Sequence, residues 1–342
     1  MRSLLYLLLF CFTLTGFSQK SSHIIDSLFN SHFTNGTFNG AVLVVKKNNV
    51  IYNKAFGYLD NSKSSRLSVD SKFIIGSIYK EFPAVAIMQL VENNKLTVDE
   101  TIHKILPELP EWSTKITVKH LLQYSSGLPK VNWRHYFSNQ IIPTDESLFE
   151  DIKNVSKLEF TPGSDYLYTN MSPILLMEIV ERISKLSFHE YLKKNILQPH
   201  HIEGVEVKEQ FPFQNKKNMA IAFNKDFKED PYKIAAKNLL ICSNTNGLYT
   251  WLKKLDNFEI ISKESMLFLS QKANNNDHTQ APLGSCSWKK NNIEIHQHHG
   301  SSGNYECLVT RDKTKDTFII LLTNQKNRNL SILTQKINEL IE

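Results

Sequence analysis

The sequence predicts an α+β fold: an antiparallel sheet built from both ends of the chain, flanked by helices, with a mainly helical lobe inserted into it. Three observations carry this. Two strand-like runs, Gly40 to Lys46 and Val50 to Phe56, stand near the N-terminus. Four more, Leu283 to Trp288, Ile293 to His298, Tyr305 to Arg311 and Thr317 to Thr323, stand near the C-terminus. What separates them is dominated by helical spacing and contains no repeat, so strands far apart in sequence must meet in one sheet. Residues 19–75 and 283–342 then form a sheet lobe, and 76–282 a helical lobe, of one discontinuous domain. At 342 residues, 41% hydrophobic and 22% charged, the chain can bury one large shared core.

The N-terminus reads differently from the rest. Arg2, the apolar run Leu4 to Leu14 and the small-residue stretch Thr15-Gly16-Phe17-Ser18 are the three parts of a secretory signal peptide, with cleavage expected after Ser18. The run is too short to span a bilayer comfortably. The mature chain is therefore expected to be exported, periplasmic or secreted, without a stable membrane anchor and as a monomer. Cleavage removes Arg2 and no acid, so the formal charge of +6 falls by one to +5. The basic residues are scattered, which argues against nucleic acid as a partner. Cys242, Cys286 and Cys307 remain, an odd number, so at least one thiol stays free and no disulfide framework is expected.

In order, residues 23–33 have helical spacing, and the two N-terminal strands form a hairpin around Lys47-Asn48-Asn49. The apolar run Phe82 to Val91 reads as a buried helix whose first turn carries Ser77 and Lys80. Thr117 caps a short helix, Val118 to Tyr124, that stops at Ser125-Ser126-Gly127-Leu128-Pro129. Ile174 to Ile183 and Phe188 to Ile196 are the clearest helices of the middle region. Residues 208–235 are polar and aromatic without period and read as a long surface loop or flap. Leu330 to Ile341 is a final helix.

The chemistry begins at Gly76-Ser77-Ile78-Tyr79-Lys80. Residues three apart share a helix face, so hydroxyl and amine can point into one cavity. A serine at a helix start also has free backbone N–H groups beside it. A lysine held in an apolar setting is poised to lose its proton and act as a base. Ser-x-x-Lys occurs again at Ser287 and Lys290, but there it runs into Lys289-Lys290-Asn291-Asn292, a solvated turn. A second piece is Tyr168-Thr169-Asn170, where alternate residues of an extended stretch project to one side. A third is His298-His299-Gly300 with Ser301-Ser302-Gly303, small residues that let an edge strand approach a substrate.

In this order the three pieces resemble the penicillin-recognising serine hydrolases, in particular the class C β-lactamase branch with its esterase and D-peptidase relatives. The likeness covers nearly all of the mature chain. It includes Phe73 to Leu96 around the nucleophile, Ile116 to Pro129, and Asn246-Gly247-Leu248-Tyr249 before Trp251. The resemblance implies that Ser77 is the nucleophile of an acyl-enzyme and that Lys80 and Tyr168 share the proton removal. It implies that Asn170 holds Lys80 and the substrate amide, and that His298 lines the cavity opposite Ser77. The backbone N–H groups of Ser77 and Ser301, next to Gly300, would form the oxyanion hole. No cofactor or metal is implied, and the substrate is a small ester, an amide or a D-amino-acid peptide, peptidoglycan-derived peptides included.

Three departures stand out. Pro83 falls within the expected helix, Tyr124 replaces a small polar residue or histidine, and His298 replaces the lysine of penicillin-binding proteins. Without that fixed charge, neutral esters or amides are favoured over β-lactams or D-Ala carboxylates. The alternatives are a class C-type β-lactamase or D,D-carboxypeptidase, and a sensor that binds penicillin or peptidoglycan without turnover. A zinc site through His296 and His298 lacks the acid that metallo-hydrolases place nearby. No Gly-x-Ser-x-Gly elbow is present either.

Overall fold

A computed structural model describes residues 21–273 and 279–342; the expected signal segment and its cleavage site lie outside them. The chain opens with helix α1 (21–34) and the hairpin β1 (Gly40–Lys46) and β2 (Asn49–Phe56). A short strand β3 (Phe73–Ile74) leads through a 3-10 turn, Gly76–Lys80, into α2 (Glu81–Glu92). The helical region continues with α3 (Val118–Leu122), α4 (Trp133–Ser138), α5 (Asp145–Lys153), α6 (Met171–Ser184) and α7 (Phe188–Tyr191). Two short strands, β4 (Val205–Val207) and β5 (Ile241–Ser243), bracket the long loop, and α8 (Thr245–Asp256) and α9 (Lys263–Leu269) follow. The chain ends in β6 (Ser285–Lys289), β7 (Asn292–Ser302), β8 (Tyr305–Asp312), β9 (Thr317–Thr323) and α10 (Leu330–Ile341).

The expected sheet from both termini is present, six antiparallel strands in the order β2-β1-β9-β8-β7-β6. The ends of the chain meet at its centre, where β1 pairs with β9 from Gly40↔Thr323 to Lys46↔Thr317. These central strands are apolar at nearly every position because both faces are covered. Ala41, Leu43 and Val45 face the helical side with Phe82 and Trp251, while Val42 and Val44 face α1 and α10 through Ile25, Phe29, Leu333 and Ile337. Strand alternation distributes the side chains of one strand between two cores. Each buried Val or Leu contributes roughly 1.5–3 kcal/mol.

Several elements differ from the sequence reading, each for a local reason. The stretch carrying Ser77 is a 3-10 turn, and α2 starts at Glu81. In α geometry the Pro83 ring would clash with the Tyr79 carbonyl, so the tighter turn precedes it, and the missing Pro83 N–H falls among first-turn donors. β7 runs on through His299 to Ser302, because its ladder with β8 continues to Ser302↔Tyr305. Strands β3, β5 and β4 form a second small sheet in that order, too short to show any period in sequence. Phe188 to Ile196 is one α turn followed by a wider coil at Leu192–Leu197. Cys242, Cys286 and Cys307 are all free thiols. Among the described residues no helix is long and apolar enough to cross a membrane.

Candidate active site

The site forms where the 3-10 turn packs against the far end of β7. The β6–β7 ladder stops at Gln297, and beyond it the turn packs against β7 near Gly300 and Ser301. The approach is close enough to exclude side chains on both partners. A Cβ on Gly76 would lie 2.2 Å from the Ser301 nitrogen, and one on Gly300 would lie 1.9 Å from the Ile75 carbonyl oxygen. Gly76 also has φ of +55°, a conformation that costs a residue with a Cβ extra strain. The two glycines therefore bring the Ser77 and Ser301 backbones together, as an oxyanion hole requires.

Lys80 Nζ lies 3.0 Å from Ser77 Oγ. Lys80 is only 3% exposed and makes no ion pair among the described residues. Its neighbours are the Tyr79 and Tyr168 rings, each centred 4.7 Å from Nζ. Ring faces attract an ammonium weakly. Burial dominates and lowers the Lys80 pKa to about 7, so near neutral pH much of it is free amine. Burial pushes the Tyr168 phenol up to about 12, with the nearby Ser77 hydroxyl pulling the other way. Tyr168 Oη closes no hydrogen bond of ordinary geometry and is left buried near the Ser77 hydroxyl. At neutral pH Lys80 is the group able to accept a proton, and Tyr168 is a phenol able to donate one.

Asn170 lines the same cavity, with a different partner from the one expected. Its Oδ1 accepts from Tyr79 Oη at 3.1 Å, and its side chain does not cap α6. Thr169 Oγ1 accepts from the Met171 N–H instead and donates to the Pro129 carbonyl at 2.6 Å. This last bond belongs to a clamp. The Leu167 N–H donates to the Tyr124 carbonyl at 2.9 Å, and the Gly163 N–H to the Ser125 carbonyl at 2.8 Å. The 124–129 stretch thereby fixes the Tyr-x-Asn segment. Tyr124 sits at φ +54°, an outlier for a bulky residue. Its ring packs 4.8 Å from Tyr168 and 6.1 Å from Tyr166. Sequence reasoning missed Tyr79 and saw Tyr124 only as a departure.

His298 is the main correction. Expected opposite Ser77, it is 2% exposed and does not line the cavity. Alternation along β7 turns His296, His298 and Gly300 inward onto the 76–81 segment, while Ser301 and Ser302 reach the cavity. Gly300 is likewise a packing contact, not a lining residue. His298 Nδ1 donates to Glu81 Oε1 at 2.7 Å, His296 Nε2 to the same oxygen at 2.9 Å, and Trp251 Nε1 to Oε2 at 2.7 Å. Burial alone would raise the Glu81 carboxyl, but the two histidines hold it at about 2. Burial lowers the His298 pKa against the pull of Glu81, so the ring is neutral at neutral pH. The two rings thus share a carboxylate. Among the described residues no group of three or more His, Cys, Asp or Glu is arranged to hold a metal ion.

The cavity has a volume of about 390 Å³. Ser77, Lys80, Tyr168, Asn170, Ser301 and Ser302 supply its polar wall, and Trp133, Phe137, Tyr232, Ile234, Leu239 and Leu240 its apolar one. Tyr232 comes from the 208–235 loop, docked through the Tyr232 Oη–Ser302 Oγ contact of 3.3 Å. One cation reaches this side from an unforeseen place. Lys326, just after β9, puts Nζ 2.5 Å from Ser301 Oγ. No motif marks it, since it lies 25 residues beyond Ser301 in sequence.

The family model described as Beta-lactamase matches residues 25–339. The chain belongs to the beta-lactamase family. Protein flp of Staphylococcus aureus (strain NCTC 8325 / PS 47) is 24% identical over 341 residues, 94% of this chain. The chain spans 66% of the length of that relative. The penicillin-binding protein of Bacillus halodurans has a similar structure, with TM-score 0.79 and 19% identity over 91% of this chain and 98% of that one. So does EstCE1, described as a hydrolase with promiscuous acyltransferase activity, with TM-score 0.75 and 16% identity over 95% and 99%. At these identities the structural likenesses show the fold. The beta-lactamase family fold and the Ser77–Lys80–Tyr168 grouping are thus two separate observations.

Proposed function

We propose that the protein is an exported serine hydrolase that cleaves neutral esters or amides through an acyl-enzyme on Ser77. The observation that carries this is a buried lysine with no counter-ion among the described residues, its pKa about 7, 3.0 Å from a serine hydroxyl. Lys80 accepts the Ser77 proton as Oγ attacks the substrate carbonyl carbon. The resulting oxyanion sits between the Ser77 and Ser301 N–H groups, donors worth ~3 kcal/mol each in such sites. Collapse expels the leaving group, protonated from Lys80 through the Tyr168 phenol. Water then attacks the acyl-enzyme with Lys80 again as base, which regenerates Ser77. The EstCE1 description supports this class of reaction, and the neutral His298, turned away from the cavity, supports a neutral substrate.

A second reading, a substrate with a free carboxylate such as a β-lactam or a D-Ala peptide, is favoured by one observation. Lys326 at Ser301 supplies a cation on another element where His298 supplies none. Intact-mass spectrometry together with kinetics on matched esters separates the readings. The first expects one fluorophosphonate adduct on Ser77 and faster turnover of a methylated ester than of its free-carboxylate partner. A strong preference for the anionic partner, lost in Lys326→Ala, puts the second first. A stable adduct with no turnover of either identifies a binding sensor. Export is tested by N-terminal sequencing of the mature protein, expected to begin at Gln19.

A further inference from the structure

Beside the catalytic cavity lies a second hollow of about 540 Å³ that shares two lining residues with it, Phe137 and Tyr232. Its other apolar walls are Ile141, Ile142 and Pro231, with Gln140 and Lys233 completing its lining. Phe137, Ile141 and Ile142 are 39%, 42% and 46% exposed. They make up three of the nine exposed large apolar side chains among the described residues, and all three fall between positions 137 and 142. Single exposed apolar residues need no explanation, but a cluster opening onto a catalytic cavity does.

Both walls are held in place. Asn132 caps α4 by accepting the His135 N–H at 3.1 Å. Tyr136, on the inner face, donates to Asp151 at 2.8 Å, which turns Phe137 outward to stack on Trp133 at 5.9 Å between ring centres. Opposite, Asp230 accepts the Asn304 N–H at 2.8 Å, and the Tyr232 ring lies 4.9 Å from Phe211. The two sides are tied by the Ala235 N–H donating to the Pro143 carbonyl at 2.8 Å. The Phe137 and Tyr232 rings, 5.6 Å apart between centres, form the ridge that the catalytic cavity and this apolar hollow share, and both sides of the ridge are anchored.

We infer that this hollow is a subsite for an aliphatic chain carried by the substrate, so that the hydrolysed esters or amides bear an extended apolar acyl or alkoxy group. The inference rests on the Ser77 reaction proposed above. Adjacency to the cavity selects the occupant: a chain attached to the scissile group that crosses the Phe137–Tyr232 ridge comes directly onto Ile141 and Ile142. The concave shape suits one chain better than a lipid surface.

The test uses p-nitrophenyl esters from acetate to decanoate with the mature protein. A fully buried methylene is worth about fourfold, so a half-open groove should raise kcat/KM about twofold per carbon beyond butyrate. The double variant Ile141→Ser/Ile142→Ser should flatten the series while acetate, too short to leave the cavity, keeps its rate within about twofold of wild type. In parallel, Ser77→Ala protein is titrated with 1-hexanol through 1-decanol and read by the fluorescence change that Trp133→Phe abolishes. Affinity should rise about twofold per carbon, a readout that needs no turnover. A flat ester series with normal acetate hydrolysis overturns the subsite, as does alkanol binding independent of chain length. So does capture by phosphatidylcholine vesicles that the double variant abolishes without changing the ester series. Loss of fluorophosphonate labelling alongside chain-dependent alkanol binding instead overturns the Ser77 reaction and leaves the subsite standing.

Discussion

Lys80 and Glu81 are neighbours in the chain, both buried, and the protein treats them in opposite ways. Around Glu81 both carboxylate oxygens are met, by His296 and His298 on one and Trp251 on the other, and the group is held ionised at about 2. Among the described residues Lys80 pairs with no acid; its neighbours are two aromatic rings and the Ser77 hydroxyl, and the group falls to about 7. A buried charge without partners is costly. The fold removes that cost one residue along, where the carboxylate ties α2 to β7 and α8, and retains it beside Ser77, the proposed nucleophile. A base that is neutral at working pH is useful only there.

The contrast predicts effects that cross over. Ser77→Ala should lose on the order of 10⁴-fold or more in kcat/KM, with an unchanged melting temperature. Lys80→Ala should lose 10²–10⁴-fold, the range of a general base, and hold or gain stability in urea because a desolvated amine is gone. Glu81→Gln should do the reverse: a stability loss of about 2–3 kcal/mol from the charged hydrogen bonds, with activity reduced far less than in Lys80→Ala. Equal destabilisation by Lys80→Ala and Glu81→Gln would break the comparison.

The pH dependence of stability sharpens it, because the two groups act in separate windows. The Glu81 carboxyl is lowered from 4.5 to about 2 in the fold, so its contribution is present above 4.5 and lost as pH falls toward 2. Lys80 is lowered from 10.5 to about 7, so the unfolded chain binds more protons between these values. Stability due to Lys80 therefore rises with pH across that interval. Urea titrations of wild type minus each variant should show these slopes, acid for Glu81→Gln and alkaline for Lys80→Ala. The smallest effect belongs to His298→Gln, about 1–2 kcal/mol of stability and little change in turnover, because the ring serves Glu81 and not the substrate.

Much of this was legible in the sequence where a local pattern carries it. The hairpin, the apolar C-terminal strands and the Ser77–Lys80 spacing are short-range features, and their partners follow from sheet and helix periodicity. Tyr168 and Asn170 were readable as a unit, because the extended stretch keeps them on one side. What could not be read depends on long-range contact. Tyr79 takes the Asn170 oxygen across 91 positions, and His298 meets Glu81 across 217. Nothing local says that Glu81, one residue past Lys80, would claim both histidines of β7. The 3-10 turn at Ser77 was hidden for a related reason: it depends on the ring of Pro83 and on the close packing of Gly76 against Ser301.

The central claim is that a neutral Lys80 activates Ser77, and the pH dependence of Ser77 acylation by a small fluorophosphonate tests it most directly. Between pH 5 and 9 the second-order rate should be level above about 7 and fall tenfold per unit below it, as one proton blocks the amine. Tyr168→Phe should lower the level region and leave the midpoint in place, while Lys80→Arg, charged throughout, should remove the acylation. A rate that stays level down to pH 5, or a midpoint that shifts in Tyr168→Phe and survives in Lys80→Arg, would contradict the claim.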